Sequence, residues 1–532
     1  MPLLVQNVPW PDDGRTPEQR AATALRMGVA DVLSVTLVRR SLDARSRAPL
    51  WRAVLRVEVR DEARCLARKI AGVRTWTERD GGRYGLEAAP PRKAAAAGRP
   101  IVVGAGPAGL FASLWLAEAG RPPILLERGS PVEERVGIVN AAWRHATAPG
   151  PDDNVVYGEG GAGTFSDGKI YTRRRDGEVG WIFQRLIQFG ADPEALQEAW
   201  AHLGTDRIRA ILPPFRARLA ELGADVRFHA RVVRFEVEGG EVRGVELSDG
   251  TQIEGSPVIV AAGHSARDAM ASLLAIGCQA EVRPIAVGVR IEHPQKLIDS
   301  ARYGRPERGD LPPATYRLSC EATAGRKAHT FCMCPGGMVV PASAQDGHLV
   351  VNGMSFAARR AMWANSAVIV DVGPEDYAAA GARPGDPLAG VAFQNHLETR
   401  AFALTGGSWA APASLASDFM ARKVSSTLPR TSYPHGVAPA DLWDLFPAPV
   451  AEGLVAALRR FDREVPGFAG PEAVLMGPES RTTSPVRFLR GPNLESVGVR
   501  GLFPCGEGAG YGGGIISCAL DGQRVARAVL GD

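Results

Sequence analysis

The sequence predicts an α/β protein. A parallel, doubly wound sheet is interrupted by a mainly antiparallel α+β insertion, and a small α+β unit precedes both. Three observations carry the prediction. RPIVVGAGPAGLFASLWLAEAGRPPILLERG reads as strand, Gly-rich turn, apolar helix and second strand, the opening of a doubly wound domain. After residue 280 the pattern changes to spaced strands, IAVGVRIEH, ATYRLSCEA, HTFCMCPG and HLVVNGMSF. The chain then ends on a short strand, a Gly-rich bend and an amphipathic helix, in GLFPCGEGAGYGGGIISCALDGQRVARAVL.

A chain of 532 residues is too long for one core. The boundaries read as 1–96 for the N-terminal unit and its linker, 97–280 for the first part of the parallel domain, 281–490 for the insertion, and 491–532 for the closing segment. Apolar content of 45% and charged content of 23% are those of an ordinary globular protein. No run approaches a membrane span, and MPLLVQNVPWPDD has no secretory pattern, so a cytoplasmic protein without a membrane partner is expected. Seven scattered cysteines show no CxxC pair or zinc spacing, so neither a disulfide framework nor a metal is expected. A net charge of +4 does not by itself call for nucleic acid.

In the N-terminal unit, LLVQNV reads as a strand. Thr16-Pro17-Glu18-Gln19 forms a capping box with Pro at the first helical position, ahead of a helix ending near Gly28. VLSVTLVRR and the alternating WRAVLRVEV are strands, and DEARCLARKIAG is a short helix. The order β-α-β-β-α resembles a ferredoxin-like domain. PPRKAAAAGRP reads as the linker that follows. From about 390 to 465 the chain reads as mostly helical. Pro213-Pro214 within TDRIRAILPPFRARLAELG is expected to break or restart that helix.

Gly104, Gly106 and Gly109 make G-x-G-x-x-G in its proper setting between strand and helix. The first glycine permits the tight turn, the second lets the backbone approach a pyrophosphate, and the third lets helix and strand pack. The helix N-terminus then offers unpaired N–H groups and partial positive charge to phosphate. Glu127 ends the second strand, 18 residues past Gly109, where a carboxylate accepts both ribose hydroxyls. This is a Rossmann-like dinucleotide site.

FAD rather than NAD is expected from features farther along. The strand series DVRFHARVVRFEVEGGEVRGVELSDGTQIEGSPVIVAAG closes on a small-residue turn at Ala262-Gly263, and flavoproteins of the glutathione-reductase type have such a turn. In that type an acidic residue after the C-terminal strand holds the ribityl or pyrophosphate end, and the next helix N-terminus faces the flavin ring. Here the acidic residue is Glu507, after Gly506, where relatives of that type carry Asp. The helix follows Gly513-Gly514 and begins near Ile515.

VYGEGGAGTFSDGKIYTR, FCMCPGG, VVNGMSFAAR and the GEGAGYGGGI ending together resemble a widespread family of FAD-dependent dehydrogenases of bacteria and plastids. The resemblance runs over essentially the whole chain. It implies an FAD-binding Rossmann-like domain with an inserted substrate domain. The Gly-rich loop 158–169 is then expected to wrap the flavin through its amides and Ser166, with Lys169 stabilising negative charge near N1 or N5. Pro107, Ala108, Arg128, Arg135, Gly161, Gly163, Thr164 and Val233 complete the expected cofactor contacts.

Other residues read less specifically. Cys332 and Cys334, two apart in an expected strand, face one side, more in the manner of core cysteines than of a redox pair. His264 reads equally as a cofactor neighbour and as a loop histidine. Glu292, His293 and Arg481 are candidates for an anionic or carbonyl-bearing substrate, against a structural role for each.

The expected function is hydride transfer between flavin N5 and an unidentified small organic substrate. A single dinucleotide fingerprint leaves NAD(P)H only a transient visit as reductant, and the organic substrate itself is an equal alternative. A flavin monooxygenase is the second reading. An RNA-binding or RNA-modifying flavoprotein is the third, suggested by Arg39, Arg40, Arg45 and Arg47, but no RNP-type aromatic pair supports it. The N-terminal unit is also a possible docking point for a protein partner.

Overall fold

The alternating apolar residues of LLVQNVP and LWRAVLRVEV form neighbouring strands in the computed structural model. The structure describes residues 1–44, 49–83, 98–148, 150–170, 178–193, 197–198, 202–305 and 307–531. Arg45, Arg47 and most of the expected linker lie outside these. The chain divides into two units, Met1–Pro90 with Lys169–Leu203, and Pro91–Gly168 with Gly204–Asp532.

In the first unit, β1 (Leu3–Pro9), β2 (Val32–Asp43), β3 (Leu50–Val59) and β4 (Val73–Thr75) pair in the antiparallel order β2-β3-β1-β4. The helix Pro17–Leu25 joins β1 to β2, and Glu62–Ala67 lies between β3 and β4. Thr16 caps the first helix: its Oγ1 accepts the Gln19 amide at 3.3 Å, and Gln19 Oε1 accepts the Thr16 amide at 2.9 Å. Leu3, Val5, Leu25, Leu55, Val57 and Cys65 form the core. Residues 169–203, expected in the parallel domain, fold with this unit. There Arg40 pairs with Glu198 at 2.8 Å, and the helix Glu178–Gln188 buries Trp181 and Ile182.

The second unit begins with β5 (Ile101–Val103), β6 (Ile124–Leu126) and β7 (Asp225–Arg227). An antiparallel sheet of β8 (Val232–Glu238), β9 (Glu241–Leu247) and β10 (Gln252–Glu254) leads to β11 (Val258–Val260). The insertion contains β12 (Ala280–Val282), β13 (Ile285–Pro294), β14 (Ser319–Glu321), β15 (Lys327–Pro341) and β16 (Val351–Met354). It continues through β17 (Trp363–Val372), β18 (Ala411–Leu415), β19 (Val437–Pro439), β20 (Val474–Glu479) and β21 (Val486–Phe488). β22 (Leu502–Pro504) closes the unit.

β22, β11, β5, β6 and β7 lie side by side in that order, all parallel. The four strands other than β7 are buried at every position, as a sheet covered on both faces requires. The helices Pro107–Glu118 and Ile515–Leu530 approach so closely that a Cβ on Gly522 would run into the Ala108 carbonyl. The insertion is a mainly antiparallel sheet, β14-β15-β17-β13-β20-β18-β19, with β16 on β15.

Two sequence expectations are corrected here. The helix Thr205–Glu221 runs unbroken through Pro213 and Pro214. Two missing N–H donors cost it ladder bonds, but Ile208, Ile211, Leu212, Phe215 and Leu219 are buried along it, and Phe215 meets Phe111 edge-on at 5.2 Å. Burial outweighs the interruption. The stretch 390–465 is helical only at its ends, Ala389–Leu404 and Ala448–Glu464, apart from the short Ala416–Met420. The intervening Pro, Gly and Ser residues carry strands and turns instead. No helix among the described residues is long and apolar enough to cross a membrane.

Candidate functional site

The strand order brings four carboxyl ends into one row. β6 leads into Glu127, β5 into the Gly104 turn, β11 into Ala262-Gly263 and β22 into Gly506-Glu507. The chain runs outward from β5 to β6 and β7 on one side, and to β11 and β22 on the other. Between β5 and β11 the loops therefore diverge, which leaves a crevice at the carboxyl ends where ligands bind in such sheets.

The first turn is built for close approach. A Cβ on Gly109 would collide with the Gly104 carbonyl, and Gly104 itself has φ 103°. The helix Pro107–Glu118 starts at Gly106 with no side-chain cap, so its first amides face the crevice. Glu127 is 5% exposed. Its Oε2 accepts the Ala105 amide at 2.8 Å, and its Oε1 accepts those of Gly129 and Gly158 at 3.0 and 3.1 Å. A carboxylate has about four lone-pair sites, so one remains on Oε2.

The Gly-rich loop lies across this turn. Gly160 N donates to Ala105 O at 2.9 Å, and a Cβ on Gly161 would stand 3.2 Å from Gly106 Cα. Gly161–Phe165 forms a short 3₁₀ turn. A Cβ on Gly163 would lie 3.3 Å from Ile515 Cγ1, at the start of the last helix. Thr164 is buried, its Oγ1 donating to Glu159 O at 2.9 Å. Ser166 Oγ donates to Gly163 O at 2.8 Å and accepts the Gly168 amide at 3.0 Å.

Arg135 holds this loop from beneath. It is fully buried, with Nε and Nη2 on Asn154 O at 3.0 and 2.8 Å, and Nη1 on the carbonyls of Gly158, Glu159 and Gly161 at 3.2, 2.7 and 3.0 Å. Burial, only partly offset by Glu127, brings its pKa down to about 9. Arg128 binds Asp152 at 2.9 Å and Asp268 at 2.8 Å, and lies 4.4 Å over the Tyr157 ring.

At the C-terminal turn the helix Ile515–Leu530 also lacks a side-chain cap, with Gly514 at its start. Glu507 is half-buried, and burial pushes its carboxyl up to about 7 against the opposing charge of Arg283. Asp521 Oδ2 accepts the Gly506 amide at 2.7 Å, and Arg490 grips the same carboxylate at 3.0 and 3.1 Å. Asp521 and Arg490 were not legible as site residues, nor were Glu159, which accepts the Val132 amide at 2.8 Å, and Asp153, which accepts the Ser130 amide at 2.7 Å, because each acts on backbone far from it in sequence.

After Gly263, His264 Nδ1 lies 2.9 Å from Ser265 Oγ. Burial first, then Arg481 and Arg267, depress the imidazole to about 4. Val233 is exposed, and its carbonyl accepts Ser272 Oγ at 3.4 Å. Lys169 belongs to the first unit, where its backbone pairs antiparallel with that of His202. The expected alternation at Cys332 and Cys334 is broken by a bulge between Phe331 and Cys334 and by φ 46° at Cys332. Cys334 Sγ lies 3.2 Å from Cys332 O. Glu292 is buried, accepting the Ser432 amide at 2.9 Å and the Ser432 hydroxyl. His293 Nε2 contacts Phe468 O at 2.6 Å.

Residues 284–482 match the family described as FAD-dependent protein, C-terminal domain-like. The chain is 37% identical over 541 residues to an uncharacterized protein of Clostridium beijerinckii (strain ATCC 51743 / NCIMB 8052), covering 98% of this chain and 97% of that one. It is similar to a variant of E. coli quinol fumarate reductase FrdA at TM-score 0.37 and 13% identity, over 82% of this chain and 70% of that one. It is similar to a triple mutant of the flavin-dependent brominase Bmp2 at TM-score 0.36 and 11% identity, over 82% and 80%. The chain belongs to the family of the clostridial protein.

Proposed function

We propose that this protein is an FAD-dependent oxidoreductase that passes hydride between flavin N5 and a small organic substrate, with NAD(P)H as a transient reductant. In this reading the parallel sheet is a Rossmann-like FAD domain, the insertion holds the substrate, and the N-terminal unit is ferredoxin-like. The observation that carries it is the convergence of two uncapped helix N-termini, at Gly106 and Gly514, beneath one Gly-rich loop.

The residues suit the cofactor. A Cβ on Gly263 or Gly513 would meet nothing within 4 Å, so the crevice is open there. The amides of Gly106, Ala108 and Gly109 are donors for a pyrophosphate, and the remaining Oε2 lone pair of Glu127 is an acceptor for a ribose hydroxyl. Amides at Ile515 and beyond are donors for the electron-rich edge of a flavin, where their dipole favours negative charge. When bound, FAD supplies two-electron chemistry. Arg135 holds the loop in place and excludes water beneath it.

The test is a visible spectrum of the purified protein, followed by anaerobic titration with NADH and then NADPH. A flavin spectrum bleached by one nucleotide is the expected result. Absence of flavin after FAD is added would sink the reading.

A further inference from the structure

We infer that the substrate carries a carboxylate, which docks on Arg481 beside the Ala262-Gly263 turn; this deepens the flavin reading above and rests on it. Arg481 is 9% exposed. Its Nε and Nη2 grip Glu398 at 2.9 and 2.7 Å. Its Nη1 is buried and has no hydrogen-bond acceptor among the described residues.

The surroundings do not neutralise this group. Glu398 is fully buried and already shared: it also accepts Arg267 Nη2 at 3.0 and 3.1 Å and the Ser480 hydroxyl at 2.8 Å. Two guanidinium groups therefore answer to one carboxylate, an excess of one positive charge. Arg267 Nη1 is occupied by Gln345 at 2.6 Å and by Asn395. The nearby Asp268 is held by Arg128. A buried charge and an unfilled donor are both costly. An anion at Arg481 Nη1 relieves both at once.

The place is right for a substrate. Gly263 is exposed and His264 partly so, giving access from the crevice. Ser484, three residues after Arg481, donates to Gly508 O at 3.3 Å, in the bend that follows Glu507. In the tautomer in which His264 Nδ1 accepts the Ser265 hydroxyl, Nε2 carries a proton and becomes a second donor. Arg481 is near enough for its charge to act on the His264 imidazole, and a guanidinium nitrogen and an imidazole nitrogen supply one donor for each oxygen of a carboxylate. A phosphate dianion would ask for more donors than these.

The experiment uses the full-length, FAD-loaded protein titrated with pyruvate, succinate and benzoate, each beside its uncharged amide, and with inorganic phosphate. The flavin absorption spectrum is the readout. At least one carboxylate is expected to perturb it saturably where its amide does not. Arg481→Lys keeps the charge opposite Glu398 but loses Nη1, and is expected to retain FAD while weakening that response at least tenfold. His264→Ala leaves the Arg481–Glu398 pair whole and is expected to weaken it in the same direction, which provides a second arm if the lysine variant does not fold. A response to phosphate in place of carboxylates, no response at all, or an unchanged response in the variants would overturn the inference. Failure to take up FAD would overturn the flavin reading instead, and the inference with it.

Discussion

The amide of Gly506 donates to Asp521 Oδ2 at 2.7 Å, tying the C-terminal turn to the helix that follows it. Arg490 completes the clamp from β21's side of the chain, with little exposure on either side chain. Removing one partner of such a pair leaves the other charge uncompensated, at about 3–5 kcal/mol. Asp521→Ala is therefore expected to lower the urea midpoint markedly and to lose FAD on gel filtration. An Asp521→Ala protein of native stability and flavin content would show that the clamp is unimportant.

Arg135→Lys is expected to loosen the loop without removing its charge. A lysine cannot span the carbonyls of Asn154 and Gly161 together as the guanidinium does. The expected result is new proteolytic cleavage within residues 154–166 and FAD affinity reduced tenfold or more, with other regions still protected. Unchanged cleavage would remove Arg135 from its supporting role.

The contribution of three carboxyls to stability is expected to fall as pH rises from 4.5 to 7, against the opposite trend of the His264 and His293 imidazoles, each depressed by burial to about 4. Burial pushes Glu292, Glu479 and Glu507 each up to about 7, from an ordinary 4.5, with Arg290 opposing at Glu479 and Arg283 at Glu507. Across this window the unfolded chain releases protons that the native protein keeps, so unfolding becomes easier. Glu398 has the opposite sign: burial alone would raise it, but Arg481 and Arg267 hold it at about 2, so its contribution is lost progressively as pH falls from 4.5 through that value. Glu292→Gln has no proton to release and is expected to show a flatter Tm between pH 5 and 7.5. An equal slope in the variant would mean that Glu292 ionises normally.

Gly522→Ala is expected to separate the first and last helices of the parallel domain, because the new methyl group meets the Ala108 carbonyl. Overpacking of this kind costs about 1–3 kcal/mol. Ala108 lies in the first turn beneath the expected pyrophosphate, so FAD release on dilution should speed up together with the loss of Tm. A variant with lowered Tm and unaltered FAD release would uncouple the two helices from the site.

The elements around Gly104 and Gly506 were legible because each is local: strand, glycines and helix are consecutive in sequence. The capping box at Thr16 was legible for the same reason. What was not legible is non-local. Nothing near Arg135 says that its donors reach the carbonyls of residues 154–161, and nothing near Asp521 points to Gly506. The proline pair misled because local propensity was read without the burial of Leu212 and Phe215. Cys332 misled because strand alternation was read without the bulge.

Residues 169–203 leave the second unit at Gly168 and return at Gly204, and the two ends adjoin there, with Gly204 N on Asp167 O at 3.1 Å. The N-terminal unit is thus sewn into the chain twice, once at its own end and once through this excursion. No single cut can release it. A truncation that removes only the leading residues would orphan a helix carrying Trp181 and Ile182, and any dissection of this protein must instead excise the excursion too and rejoin Gly168 to Gly204 with a short bridge.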